Sequence, residues 1–354
     1  AMVLHLLELG VPANKIELHH HNVDGDPAAG EGLMDWPVTL AYGEAVARHL
    51  GIEFQTSWRE GGIEREMCRQ ETRTAPVVFY KDGQRIQTGG VNGPLGTRRK
   101  FPQKAASLSV RWCSSASKID VGVAYLRNDP KFQNQRTLVV TGERAEESSS
   151  RARYATFEQH RADGRGGKFA RHIDHWRAVH SWSEAQVWQI IERFSLQFHP
   201  AYELGYGRVS CQFCVFGSKN QWATNRAIAP RAFGRVAAYE HDFGVTIDRK
   251  LTVGEMADQG VPYPAAVGIW VERAMATTWP TVASWIHAIE RGATAAEALP
   301  AAAGTPGGEP RVEIEEDDLE PADFEIEIDL FFDVLRRATR NAWRRLGEAL
   351  ASAN

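Results

Sequence analysis

The chain has 354 residues, a net charge of −4 and 43% apolar residues, the proportions of a globular protein with a sizeable core. A negative net charge excludes a protein that binds nucleic acid by overall electrostatic attraction. No apolar run approaches about 18 residues, so we expect no membrane span. With no secretion signal and only four cysteines, the sequence predicts a cytoplasmic protein.

The N-terminal part of the chain alternates helical and strand patterns. Residues 1–9 predict a helix, 16–21 a strand, 37–50 a second helix and 52–57 a second strand. This alternation is typical of an α/β fold with a parallel sheet. Because the first helix begins without a cap or a preceding strand, we expect further residues in front of it.

Three consecutive histidines end the first predicted strand. Side chains alternate along a strand, so only His19 and His21 share a face, and a metal site is not favoured. The carboxyl edge of an open α/β sheet is nevertheless where ligands bind. We therefore predict that His20 and Asp24 are cleft residues, the alternative being a polar strand end without a binding role.

The next segment, 57–105, has paired glycines and a basic run, and it predicts an irregular insertion or lid. Cys68 lies in a polar helical pattern there and is a candidate fourth metal ligand. A helix over 107–126 follows, and it carries three candidate site residues: Arg111, Cys113 and Lys118.

A strand and a basic loop then predict an anion site. Leu138–Thr141 predicts a short buried strand, and it is followed by Gly142, Arg144, Ser148 and Arg151. Cations just beyond the carboxyl end of a strand, beside a helix N-terminus, suit phosphate or sulfate. The alternative interpretation is a solvated charged loop.

Histidines also occur at the spacing of a shared helix face, His172 and His175. No third ligand accompanies them, so a structural or substrate-contacting role is favoured over a metal site. The helix predicted next, 181–194, has Ser181 or Ser183 as its cap.

The strongest local signal is HPAYELGYGRVSCQFC, residues 199–214, which contains Arg208, Cys211 and Cys214. A Cys-x-x-Cys turn suits a metal ion or an iron–sulfur cluster, and it also suits a redox dithiol. The open question is whether Cys113 folds back onto this pair, and what then binds to the three cysteines.

The C-terminal third changes composition. We predict a helical extension over 236–298, an acidic Pro/Gly-rich linker over 299–328 and an amphipathic helix over 329–354. The helix would pack on the preceding domain, residues 1–235, or bind another protein.

Four segments together resemble the phosphoadenosine-phosphosulfate (PAPS) reductase-like family of the PP-loop, or adenine nucleotide alpha hydrolase-like, superfamily. They are LELGVPANKIELHHHNVDG, RWCSSASK, TGERAEESSSR and HPAYELGYGRVSCQFC. The resemblance implies a doubly wound parallel sheet with helical additions that binds an adenine nucleotide, ATP or a sulfonucleotide, at its carboxyl edge. It also implies a four-iron cluster, or alternatively zinc, held by Cys113, Cys211 and Cys214.

Three departures from the family pattern shape the functional expectation. The SGGKDS-like phosphate loop is absent from this sequence, a single cysteine stands at Cys113 instead of a pair, and no cysteine follows Cys214. The last departure removes the thiolate nucleophile of the sulfonucleotide reductases. The pattern is more similar to reductase-like proteins of DNA phosphorothioation, phages, plasmids and type IV CRISPR systems.

Two functions remain open at this stage. One is a nucleotide-binding sulfurtransferase or reductase that uses the cysteine site. The other is a degenerate nucleotide-binding accessory subunit of a defence or CRISPR-type complex, docked on a protein or ribonucleoprotein through its C-terminal helix.

Overall fold

The computed structural model describes residues 1–105 and 108–279. In these residues the α-helices are α1 Met2–Glu8, α2 Thr39–Leu50, α3 Gly62–Met67, α4 Trp112–Ser114, α5 Asp120–Asn128, α6 Glu184–Arg193, α7 Lys219–Ile228, α8 Pro230–Phe243, α9 Val253–Asp258 and α10 Gly268–Met275. The strands are β1 Glu17–Asn22, β2 Glu53–Arg59, β3 Val77–Lys81, β4 Gln84–Thr88, β5 Arg136–Thr141, β6 Phe157–Gln159 and β7 His172–Arg177.

The described strands form two sheets that each contain one parallel pair. The first has the order β1-β2-β3-β4, in which β1 and β2 are parallel and the other pairs are antiparallel. The second has the order β5-β7-β6, in which β5 and β7 are parallel. The parallel strands β1 and β2 are connected through α2, which confirms the α/β class. The antiparallel strands make both sheets mixed, which the sequence did not predict.

The interpretation of 57–105 as an irregular insertion was wrong, because the segment contains α3 and the β3–β4 hairpin. The hairpin turns at Asp82 and Gly83, whose φ angles are 48° and 74°. Two central residues with positive φ match the twist of the flanking strands, which is why Asp-Gly is a strong hairpin signal. In the sequence, this Asp-Gly pair lies between the segments that form β3 and β4, VVFYK and QRIQT.

A π-helical segment, Ser115–Ile119, joins α4 to α5 within the predicted helix 107–126. π-turns are rare and occur frequently at functional sites. Here the segment carries Lys118 and begins two residues after Cys113, so its winding affects how the two side chains are placed relative to each other.

One core connects the loop before α2 to the C-terminal helices. Leu33 and Trp112 pack in it with Phe213 and with Val236 on α8. Residue 235, where the nucleotide-binding domain was predicted to end, lies inside α8, so the helical extension shares this core. The predicted linker 299–328 and helix 329–354 lie outside the described residues. No helix in the described residues has the length and hydropathy to cross a membrane.

We predict that Gly62→Ala destabilises the protein far more than Gly83→Ala. Both glycines have positive φ, 60° and 74°. A Cβ on Gly62 would lie 2.2 Å from the carbonyl carbon of Asp24, whereas one on Gly83 meets nothing within 4 Å. Gly83→Ala should cost about 1–2 kcal/mol of unfolding free energy, and Gly62→Ala at least about 3 kcal/mol. Urea unfolding measures both, and equal losses would show that backbone crowding at Asp24 is unimportant.

Candidate functional site

Three of the four cysteines lie close enough to one lysine to act on it electrostatically. The pKa of the Lys118 ammonium is raised by its acidic neighbours, by Cys211 first and then by Asp35, Cys113 and Cys214. Cys113 also interacts with Cys214. The cysteine of the π-helical region therefore does fold back onto the Cys-x-x-Cys pair, across about a hundred residues of sequence.

This cluster is partly accessible to solvent, and we call the region around it the cysteine cleft. Lys118 is exposed, while Asp35 and the three cysteines are half-buried. Partial burial raises the pKa of the Cys113 and Cys211 thiols, and Lys118 opposes that effect. A cation among thiols favours their thiolate forms, the forms that bind metals and attack sulfur.

Backbone hydrogen bonds fix the Cys-x-x-Cys turn from both sides. The Phe213 N–H donates to the Met34 carbonyl at 3.1 Å, and Asn225 Nδ2 donates to the Gln212 carbonyl at 2.8 Å. The Gly217 N–H closes the turn on the Cys214 carbonyl at 2.8 Å. The two cysteines are thus held on an ordered turn rather than on a loose loop.

Asp24 supports the opposite wall of the cleft. Its carboxylate accepts the N–H groups of Met34 at 2.9 Å and Asp35 at 2.8 Å. A Cβ on Gly32 would lie 2.4 Å from Asp24 Oδ2, so glycine is required for this close approach. Asp24 was predicted as a cleft residue, and in the structure both of its oxygens are engaged by the backbone. Burial nevertheless raises the pKa of Asp24.

The donor set suits a metal, but the described residues contain no group of three His, Cys, Asp or Glu side chains arranged to hold a metal ion. In a mononuclear zinc site, Zn–S bonds of about 2.3 Å bring the sulfurs within about 4 Å of each other. The present arrangement does not fit such a site. A four-iron cluster places its ligand sulfurs further apart, so this finding bears less strongly on it.

Cys68, the candidate fourth ligand, has different neighbours. Its thiol interacts with Tyr239, and Glu64, Arg99 and Asp242 act on it electrostatically. Burial raises the pKa of this thiol. In the part of the chain that the structure describes, none of its recorded interactions is with the other cysteines.

A half-buried chain of hydrogen bonds runs along β1. Ser57 Oγ on β2 is hydrogen-bonded to His19 Nε2 at 2.8 Å and to His21 Nδ1 at 2.9 Å. His19 Nδ1 is bonded to Glu17 at 2.9 Å. His19 and His21 therefore share a face, as predicted. Burial, reinforced by Lys118, lowers the pKa of His20 to about 4, so its imidazole is neutral at pH 7.

Arg111 and Arg208 meet at one aromatic ring. Their guanidinium carbons lie 5.5 Å and 5.7 Å from the centroid of Phe216. Phe216 follows the Cys-x-x-Cys turn by two residues, so both cations stand beside it. The Nε atom of Arg111 is buried without a hydrogen-bond partner in the described residues. The structure thus brings two predicted anion-binding residues together next to the cysteines.

The predicted anion loop after β5 is internally neutralised. Arg144 pairs with Glu146 at 2.6 Å, and Arg151 pairs with Glu147 at 2.5 Å. The Ser148 hydroxyl accepts the Arg151 N–H at 3.2 Å. Gly142 has ordinary space for a side chain, since a Cβ there would meet only Met2 Sδ, at 3.7 Å. An anion would have to compete with two carboxylates at this loop.

Two expectations about this region were wrong. His172 and His175 lie on strand β7, where residues three apart face opposite sides, so they share no helix face. His175 instead bonds Thr141 at 2.7 Å, and His172 bonds Asp174 at 3.0 Å. Strand β5 is also not fully buried, because Leu138 is 46% exposed.

Sequence reasoning missed two residues of the site, Asp35 and Ser57. Asp35 lies in the Leu-Met-Asp-Trp-Pro turn, and only folding shows that it faces Lys118. Ser57 is fully buried between two histidines, and its pairing depends on the register that sets His21 opposite it. Neither position has a motif that would have identified it.

Comparison with known proteins gives one finding. The family model of the phosphoadenosine phosphosulfate reductase domain matches residues 96–215, roughly a third of the chain. The match includes Cys113, Lys118 and both cysteines of the Cys-x-x-Cys turn. It excludes His20, Asp24 and Cys68. No curated protein gives a significant match.

We predict that His199, at the start of the segment that leads to the cysteines, makes stability depend on pH. Its Nδ1 accepts the Ala201 N–H at 3.1 Å, so that nitrogen cannot be protonated without breaking the bond. Burial lowers the pKa of His199 from 6.5 to about 4. Since the unfolded histidine takes up its proton at higher pH, this stability is present above pH 6.5 and is lost as the pH falls toward 4.

The His199→Asn variant keeps a good capping side chain but cannot titrate. Between pH 7.5 and pH 5, its free energy of unfolding should fall by about 2 kcal/mol less than that of the wild type. Urea unfolding at both pH values measures the difference. Parallel losses in the two proteins would contradict the assignment.

Proposed function

This chain carries a phosphoadenosine phosphosulfate reductase-like domain, and from that premise we propose that it is a nucleotide-binding sulfurtransferase or reductase. Its substrate would be an adenine nucleotide, ATP or a sulfonucleotide such as PAPS. The reaction would take place in the cleft between the β1 end and the Cys-x-x-Cys turn. A cytoplasmic location fits reduced thiols.

The observation that carries the proposal is the placement of a solvent-exposed Lys118 among the half-buried Cys113, Cys211 and Cys214. Sulfur chemistry needs thiolates or thiolate-bound metal, and a neighbouring cation stabilises both thiolates and a bound phosphate or sulfate. Arg111 and Arg208 add two further cations beside the same turn. Neutral His20 completes the polar lining at the strand end.

As part of this proposal, Cys113, Cys211 and Cys214 would bind a four-iron cluster with one iron open to an external ligand. Such a cluster would supply the sulfur or electron transfer. The chain's own cations would bind and orient the nucleotide. Lys118, Arg111 and Arg208 would contact the phosphate or sulfate groups of the nucleotide. Zinc is the alternative metal, although the sulfur arrangement does not favour it.

We predict that anaerobically purified protein contains iron and labile sulfide and is brown. Cys113→Ser and Cys211→Ser should each lose most of the iron, because a cluster with two sulfur ligands is not retained. Cys68→Ser is the matched control and should keep it, since Cys68 contacts Tyr239 instead. A colourless wild-type protein with about one equivalent of zinc would refute the cluster.

We also predict that Lys118→Gln weakens binding of adenosine 5′-phosphosulfate. Loss of a charge-assisted hydrogen bond should cost about 1.5–3 kcal/mol of binding free energy. Lys168→Gln is the control, because Lys168 contacts the ring of Phe169 away from the cysteines. Isothermal titration calorimetry measures both variants, and unchanged affinity in folded Lys118→Gln would remove Lys118 from the site.

A second candidate function is supported by the neutralised loop after β5. If Arg144 and Arg151 stay paired with Glu146 and Glu147, the chain has lost an anion-binding element. It would then be an accessory nucleotide-binding subunit of a defence or CRISPR-type complex, bound to its partner through residues 329–354. Adenosine 5′-phosphosulfate binding with equal affinity in wild type and Arg144→Ala would favour this reading.

A further inference from the structure

A cavity lies between the β3–β4 hairpin and α5, and neither the cysteines nor Lys118 are among its lining residues. Its volume is about 340 Å³, near the lower limit for small-molecule pockets. Val77, Val123 and Ala124 contribute apolar surface, and two arginines contribute charge. No acidic side chain is among the lining residues.

Arg59, at the end of β2, is the buried cation of this cavity. It is only 6% exposed. Its Nε donates to the Ala116 carbonyl at 2.7 Å, and one terminal nitrogen donates to the Ala75 carbonyl at 2.6 Å. Over residues 1–105 and 108–279, no carboxylate lies within ion-pair distance of this guanidinium.

The carboxylates that act on Arg59 from further away are those of Glu66 and Asp120. Glu66 is shared with two other arginines, Arg69 at 3.9 Å and Arg98 at 3.5 Å. A buried charge without a close counter-ion costs folding free energy. An anion that enters the cavity would offset that cost, so the site is electrostatically prepared for one.

The rest of the lining offers further donors. Arg127 on α5 lines the cavity, and its guanidinium donates from one terminal nitrogen to the Arg161 carbonyl at 2.8 Å. The Thr74 hydroxyl accepts from Arg69, so its own proton remains to be donated. Gly90 has a φ of 80°, and a Cβ there would lie 2.7 Å from Pro76. Its backbone therefore forms the wall without a side chain.

We propose that this cavity binds a small organic oxyanion, a carboxylate or a phosphate monoester with a short apolar body. The head group would accept from Arg59, Arg127 and Thr74, because planar guanidinium groups match such oxyanions. The apolar body would pack against Val77 and Val123. This site lies beyond the proposed nucleotide cleft and does not depend on it.

The test uses the full chain with two probes, butyrate and methyl phosphate, titrated by calorimetry. At least one probe should bind, and saturating ATP should not displace it. Ala124→Leu fills the cavity without removing a charge and should weaken binding at least about tenfold, while Arg127→Gln should weaken it about three- to tenfold. Arg136→Gln, an exposed arginine on β5, is the matched control and should bind like the wild type.

The proposal is overturned if neither probe binds, if ATP displaces the bound probe, or if Arg127→Gln and Ala124→Leu both bind as the wild type does. Thermal unfolding of each variant shows whether it is folded. Because Arg127 is exposed, its variant remains informative even if Ala124→Leu does not fold. Crystals soaked in selenate should show anomalous density next to Arg59, and density elsewhere alone would contradict the site.

Discussion

The carboxylate of Asp24 holds the two walls of the cleft in register. By accepting the N–H groups of Met34 and Asp35, it fixes the turn before α2. The Met34 carbonyl in that turn then accepts the Phe213 N–H between the two cysteines. This half-buried acceptor thus helps to position both Asp35 and the Cys-x-x-Cys turn. The backbone donors compensate the desolvation of its carboxylate.

Much of the fold could be predicted because its signals are local. The 3.6-residue periodicity of α2 and α6 and the Ser183 cap of α6 each specify their own element. The hairpin after α3 could also have been predicted from Asp82 and Gly83. The prediction that His172 and His175 share a helix face was wrong because they lie on a strand. A spacing of three residues places two side chains on one face of a helix but on opposite faces of a strand.

The site was predictable only in its parts that carry motifs. Cysteine spacing and family-like segments indicated Cys113, Cys211, Cys214 and Lys118. The sequence could not show that Arg144 pairs with Glu146. A loop that binds an anion and a loop whose charges pair with each other can have the same composition. Asp35, Ser57 and Arg59 acquire their roles from partners between about 35 and 85 residues away, and such partners follow from tertiary packing alone.

The π-helical segment Ser115–Ile119 makes this part of the chain sensitive to length. Each residue turns an α-helix by about 100°, so losing one residue here would restore regular winding and rotate Cys113 away from Lys118. Arg59 would lose its acceptor, the Ala116 carbonyl, in the same rearrangement. During evolution this stretch can therefore accept substitutions more readily than insertions or deletions, because its spacing, more than its composition, aligns the thiol with the ammonium group.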